Sequence, residues 1–292
     1  MLAEQLKDWV ETAGRAWDEM GNANVNEKWS RLTNNANVSR FGTDEFGFSP
    51  EVVKRILPLV TLVHKGYFRV NVTGVENVPD GRVLLIANHS GQLPFDGMMI
   101  ATSLILEADP PRMVRSMIER WVPTLPFVST FLARCGQITG LPENCRRLLE
   151  HEETILVFPE GARGISKTYD KRYKLQPFGQ GFMRLALETS TPIVPVSVVG
   201  AEEQAPSFYN VEPLAKLLNM PAFPITPFFP LFFPVGLLPL PVKYHIHFGE
   251  PLRFEGNAND EDAVILEKVS QVQDTIQHTL NKMVDERKSI FW

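Results

Sequence analysis

The chain has 292 residues, 44% of them apolar and 22% charged, enough for one large domain with a full core or a domain carrying a helical appendage. Its net charge of −5 excludes nucleic-acid binding driven by phosphate neutralisation. Two cysteines, Cys135 and Cys145, build neither a disulfide framework nor a four-ligand zinc site, and fit a reducing compartment.

The first residues carry Glu4, Asp8 and Glu11 where a secretion signal would carry an apolar run, so no signal peptide is expected. No apolar stretch of helix formers is long enough to span a bilayer, and membrane contact is expected to be peripheral or monotopic. Residues 2–20 repeat Leu2, Leu6, Trp9, Ala13, Trp17 and Met20 at helical spacing. Residues 21–48 are rich in Asn, Gly and Thr and read as a connection. Ser49-Pro50-Glu51 opens a second helix running to Phe68, which Pro58 is expected to kink. Residues 1–68 thus form an N-terminal helical segment, for packing or membrane docking, ahead of a main domain over 69–292.

From about residue 70 strands alternate with helices. VLLIAN (83–88), ILVF (155–158) and IVPVSVV (193–199) are short β-rich runs, and YHIHF (244–248) adds a late strand. MMIATSLILEA and FMRLALETS are the intervening helices. The fold class is α/β, a largely parallel or mixed sheet flanked by helices, with sites at the carboxyl ends of the strands. Residues 261–287 close the chain as a long helix, with Val264, Leu266, Val269, Val272, Ile276, Leu280 and Met283 on one face.

The sharpest signal is Asn88-His89-Ser90-Gly91-Gln92-Leu93-Pro94-Phe95-Asp96. A histidine leaves a buried strand, a Gly- and Pro-containing turn follows, and an aspartate opens the next helix. Such a turn can return the carboxylate to the imidazole, fixing one tautomer and leaving the other nitrogen as a general base. The plainer alternative is that His89 caps a strand and Asp96 a helix. A second segment, Phe158-Pro159-Glu160-Gly161-Ala162-Arg163-Gly164, also follows a buried strand directly.

Together, in this order, the two segments resemble the glycerolipid and lysophospholipid acyltransferase family. Its first motif is Asn-His with a following Asp, and its third reads Phe-Pro-Glu-Gly-Thr-Arg, with Ala162 here in place of Thr. The resemblance runs from about Val72 to Ala205 and includes Pro192-Ile193-Val194-Pro195-Val196. Two departures stand out. Six residues separate His89 from Asp96 where the family has four, and Gly136-Gln137-Ile138-Thr139 lacks the arginine that usually follows, although Arg146 and Arg147 lie nearby. The second departure shifts the acceptor away from glycerol 3-phosphate or lysophosphatidate toward a neutral or differently phosphorylated alcohol.

The resemblance implies transfer of a fatty acyl group from a thioester, acyl-CoA or acyl-carrier protein, to the hydroxyl of a glycerolipid or related alcohol. His89 is the implied base and Asp96 its partner, with backbone N–H groups of the Ser90–Gly91 turn or near a helix N-terminus as oxyanion donors. Glu160, with Gly161, is expected to orient the acceptor, and Arg163 to bind an anionic head group or the donor's phosphates. Lys171 and Arg172 extend that basic cluster. No metal and no cofactor beyond the co-substrate is implied. The expected place of work is the cytoplasmic face of a membrane.

Residues 217–242 carry no charge, five phenylalanines and seven prolines, a density that rules out a regular spanning helix. Exposed, such a segment demands an apolar partner, and a lipid interface or an acyl groove fits; the plainer alternative is a buried, irregular core segment. Three rivals remain. Gly161 to Thr168 approaches a phosphate-binding loop but has Ser166 in place of its second glycine and no clear helix after it. His245 and His247 share a strand face but offer only two metal ligands. A non-catalytic lipid-binding protein of the same fold would keep both pocket and apolar segment.

Overall fold

The computed structural model describes residues 23–33, 38–89, 95–119, 127–217, 222–233 and 235–291. The helix expected over 2–20 and the Ser90–Gly91 turn lie outside them. In chain order the strands are β1 (Asn71–Thr73), β2 (Val83–Ala87), β3 (Val114–Ile118), β4 (Ile138–Thr139), β5 (Thr154–Val157), β6 (Ile193–Val199), β7 (Tyr209–Asn210), β8 (Pro224–Ile225) and β9 (His245–Phe248). Seven of them form one sheet in the order β1-β9-β6-β2-β5-β3-β4, while β7 and β8 pair separately. All neighbours in the large sheet are parallel except β6 and β9, so the sheet is mixed.

The central strands are legible as unbroken apolar runs because both faces of the sheet are covered. In β2, Leu84 and Ile86 join the core on one face and Val83, Leu85 and Ala87 the core on the other. The same alternation of period two divides Ile193 and Val199 of β6 from Val194, Val196 and Val198.

The helices are α1 (Ala23–Thr33), α2 (Pro50–Thr61), α3 (Phe95–Leu106), α4 (Val128–Arg134), α5 (Pro142–Glu150), α6 (Ala162–Ile165), α7 (Gly181–Thr189), α8 (Glu212–Leu217) and α9 (Asp262–Glu286). Helix α3 covers one face through Met99, Ile100 and Leu104. Helices α5, α7 and α9 cover the other through Leu148, Met183 and Val272.

Three details differ from the sequence reading. Helix α1 lies in the segment read as a connection: its Asn-rich sequence is a poor helix former, but Trp29 packs with Phe48, Val53, Leu57 and Ile105, and tertiary burial outweighs propensity. Lys28 also donates to the carbonyl of Leu106 at the end of α3. The helix expected to run to Phe68 is α-helical, with Pro58 inside it, only to Thr61, and continues as a π-helical stretch over Leu62–Tyr67. The carbonyl deprived of a partner by Pro58 belongs to Lys54, on the exposed side. In α9 the buried stripe is Ile265, Val269, Val272, Ile276 and Leu280, while Val264 and Leu266 are exposed. Ile265 is the residue in phase with Val269 and Val272 at helical spacing.

The apolar segment is exposed along part of its described length, while its end at Val242 is buried. Phe228, Leu231, Phe232, Phe233, Val235 and Leu238 all face solvent, with Phe208 and Tyr209 also exposed beside the β7–β8 pair. Phe223 and Phe229 are half-buried against each other, ring centroids 5.2 Å apart, and Phe229 supports Phe233 at 6.4 Å. Tyr67 Oη donates to the carbonyl of Pro239 at 2.5 Å, tying the end of the segment to the π-helical stretch that follows α2. Among the described residues no helix is long and apolar enough to cross a membrane.

Candidate active site

Strand β2 ends at Ala87, and Asn88 completes its pairing by side chain. Its amide donates to the carbonyl of Val198 at 3.0 Å and accepts from the Val198 N–H at 2.8 Å. The buried amide thus replaces one rung of the β2–β6 ladder, and the chain turns away at His89. Helix α3 then returns with Asp96 in its first turn, where the positive end of the helix favours a carboxylate.

His89 Nδ1 lies 2.8 Å from Asp96 Oδ2, so the longer six-residue separation still closes. The Asp96 side chain is 0% exposed and that of His89 14%, so of the two the histidine is the nearer to the surface. The other carboxylate oxygen, Oδ1, accepts the Gly97 N–H at 2.8 Å. An ionised carboxylate only accepts, so Nδ1 carries the hydrogen and Nε2 holds a lone pair. The imidazole stacks on Phe158, with centroids 4.1 Å apart and planes at 21°, which fixes its second direction.

Strand β5 delivers the second motif to the same place. Glu160 is buried: Oε1 accepts the backbone N–H of His89 at 2.9 Å and Oε2 that of Gln176 at 2.7 Å. Its carboxylate therefore faces the histidine's main chain, where the sequence reading had it orienting acceptor hydroxyls. Gly161 has φ +57° and ψ −147°, a conformation open to glycine, and a Cβ there would lie 2.8 Å from Glu119 Oε1. A Cβ on Gly164 would lie 2.9 Å from both Cβ and O of His89, so this glycine allows the two motifs to touch.

Arg163 is exposed and donates from Nη2 to the Pro177 carbonyl at 2.8 Å; among the described residues it has no carboxylate partner. Lys171 and Arg172 are exposed on the same loop, Arg172 lying 4.5 Å over the Tyr169 ring. Arg146 and Arg147 are committed elsewhere, the former to Glu143 and Glu188, the latter to Glu45. A cavity of about 590 Å³ lies at α5, α7 and residues 256–259, lined by no residue of either motif. Of the rival motifs, the segment after Gly161 forms only the single turn α6, and among the described residues no three His, Cys, Asp or Glu side chains cluster as a metal site. Asn88 and Phe158 stood in the two motifs without a role, and the sequence reading assigned none to Glu119 or Lys167. An asparagine ending a run of five buried residues was the one available sign.

A mixed α/β sheet thus carries a His–Asp pair at the carboxyl end of a central strand, in contact with the loop that holds Gly164. Residues 69–199 match the family model described as Acyltransferase. The chain is 43% identical over 258 residues to an uncharacterised protein of Mycobacterium tuberculosis, covering 86% of this chain and 72% of that one. It is 27% identical over 164 residues to a probable 1-acyl-sn-glycerol-3-phosphate acyltransferase of Mycoplasma pneumoniae, covering 53% and 59%. The crystal structure of the 1-acyl-sn-glycerophosphate acyltransferase PlsC from Thermotoga maritima shares the fold, with a TM-score of 0.50 at 17% identity over 81% of each chain. The chain belongs to the acyltransferase family and is an enzyme of acyl transfer.

Proposed function

We propose that the enzyme moves a fatty acyl group from an acyl thioester, acyl-CoA or acyl-carrier protein, to the hydroxyl of a glycerolipid or related alcohol, with His89 and Asp96 as its catalytic dyad. The observation that carries this reading is the 2.8 Å hydrogen bond from His89 Nδ1 to Asp96, which leaves Nε2 as the ring nitrogen outside that bond. Nε2 takes the proton of the acceptor hydroxyl as its oxygen attacks the thioester carbonyl carbon. Asp96 stabilises the imidazolium. When the tetrahedral intermediate collapses, the C–S bond breaks, and the departing sulfur takes the proton from His89. No acyl-enzyme is needed.

Arg163, exposed beside Gly161, is suited to an anionic group of donor or acceptor. Glu119 sets a carboxylate against Gly161, which disfavours a phosphate dianion there and supports a neutral acceptor hydroxyl. The exposed phenylalanines and leucines of 217–242 suit shallow insertion into a lipid interface, which brings the site to amphiphilic substrates at the cytoplasmic face of a membrane. Mass spectrometry of lipids in cells expressing the wild type and the His89→Ala variant tests the reading. A product that accumulates only with the wild type identifies the acceptor; identical lipid profiles with comparable expression reject it.

A further inference from the structure

Lys167 stands four residues beyond the exposed Arg163, yet its side chain is 3% exposed. Its Nζ lies 3.4 Å from Glu160 Oε2 and 3.0 Å from Glu202 Oε1, on the segment that follows β6. Glu202 Oε1 also accepts the Tyr173 N–H at 2.9 Å. A buried ammonium thus joins two buried carboxylates, each holding a backbone N–H, and one of those N–H groups is that of His89. The remaining charges around this cluster are paired: Glu203 accepts from Arg287 at 2.8 Å and from the Tyr173 hydroxyl.

The cluster's bond to the histidine is made at the backbone N–H. We propose that Lys167 is a positioning residue for His89: it holds the Glu160 carboxylate in the orientation that fixes the histidine's main chain, and through it the alignment with Asp96. Two buried carboxylates within reach of one ammonium, with only backbone N–H groups besides, do not both stay ionised and in place once the ammonium is removed. One of them takes up a proton or swings away. Burial already pushes the Glu202 carboxyl up to about 7, against the pull of Lys167. The proposal rests on the reading of His89 as the base.

The test is Lys167→Met, alone and with Glu202→Gln, the double variant removing the like-charge conflict so that the fold survives if the single variant fails. Amide hydrogen exchange by NMR needs no substrate. The N–H groups of His89 and Gln176 should exchange at least ~10-fold faster, while those of β6 stay at wild-type rates, a local pattern that general destabilisation does not give. In thiol release from palmitoyl-CoA with 1-oleoylglycerol vesicles, kcat should fall roughly 10- to 100-fold with little change in KM, the double variant recovering part of the loss. Unchanged exchange at His89 and Gln176 in whichever variant folds overturns the proposal, as does a rise shared evenly by all core amides. His89→Ala run alongside separates the two claims: if it keeps full activity the base assignment fails, whatever the exchange data show.

Discussion

Replacing Asp96 by asparagine removes a charge while preserving shape. The Asn carbonyl can still accept the Gly97 N–H now held by Asp96 Oδ1 at 2.8 Å, so α3 should start as before. Its amide then points at His89 Nδ1, 2.8 Å from the atom it replaces. An NH₂ group there donates, so Nδ1 must accept and the ring hydrogen moves to Nε2, the nitrogen that should take the substrate's proton. The lost charge sets the magnitude. With charge centres about 4 Å apart and an effective dielectric near 20, fitting a fully buried carboxylate, the imidazolium loses about 4 kcal/mol, or roughly 10³-fold in rate. In bulk water the same pair is worth about 1 kcal/mol and less than tenfold. Measured kcat for thioester consumption, beside a melting curve matching the wild type, decides between these values. A loss below tenfold in a well-folded protein would refute the reasoning.

Other perturbations probe separate parts of the account. Gly164→Ala sets a methyl within 2.9 Å of His89 and should lower kcat by roughly 10- to 100-fold with a modest loss of melting temperature; unchanged kcat would show that the motifs tolerate separation. Replacing Phe228, Phe232 and Phe233 by Ser, while sparing their support Phe229, should weaken sedimentation with liposomes at least ~100-fold, because each ring buried is worth about 1.5–3 kcal/mol. Unaltered liposome binding would move the contact elsewhere. Glu202 titrates at about 7 in the fold, above its ordinary 4.5, so the native state retains a proton that the unfolded chain releases. Its effect is a loss of stability as pH rises between those values, and Glu202→Gln should flatten that slope in urea denaturation; a parallel wild-type slope would contradict this.

Much of the fold was legible because burial on both faces writes itself as continuous apolar runs, and β2, β5 and β6 fell where those runs lie. Helix α1 was not, since its apolar anchors are Trp29 and the half-buried Leu32, and their partners come from Phe48, Val53 and Ile105, distant in sequence. In the site, the order of residues told which side chains meet but not which way they face. His89 and Asp96 meet as the strand–turn–helix pattern suggests. Glu160 and Lys167 sit in an aperiodic loop, where spacing carries no information about inside and outside, and both turn inward. Arg163, four residues before Lys167, turns out. Asn88 works through a partner 110 residues away, a pairing only the sheet order reveals.

The most direct test of the central claim is the single-turnover rate of acyl transfer from palmitoyl-CoA by purified His89→Ala protein. Its folding would be verified by circular dichroism, and the acceptor would be the one identified by lipid mass spectrometry. Removing the base should slow transfer by roughly 10²–10⁴-fold while leaving palmitoyl-CoA binding within a few-fold of wild type. Transfer at the wild-type rate by the folded variant would contradict the assignment of His89 as the proton acceptor.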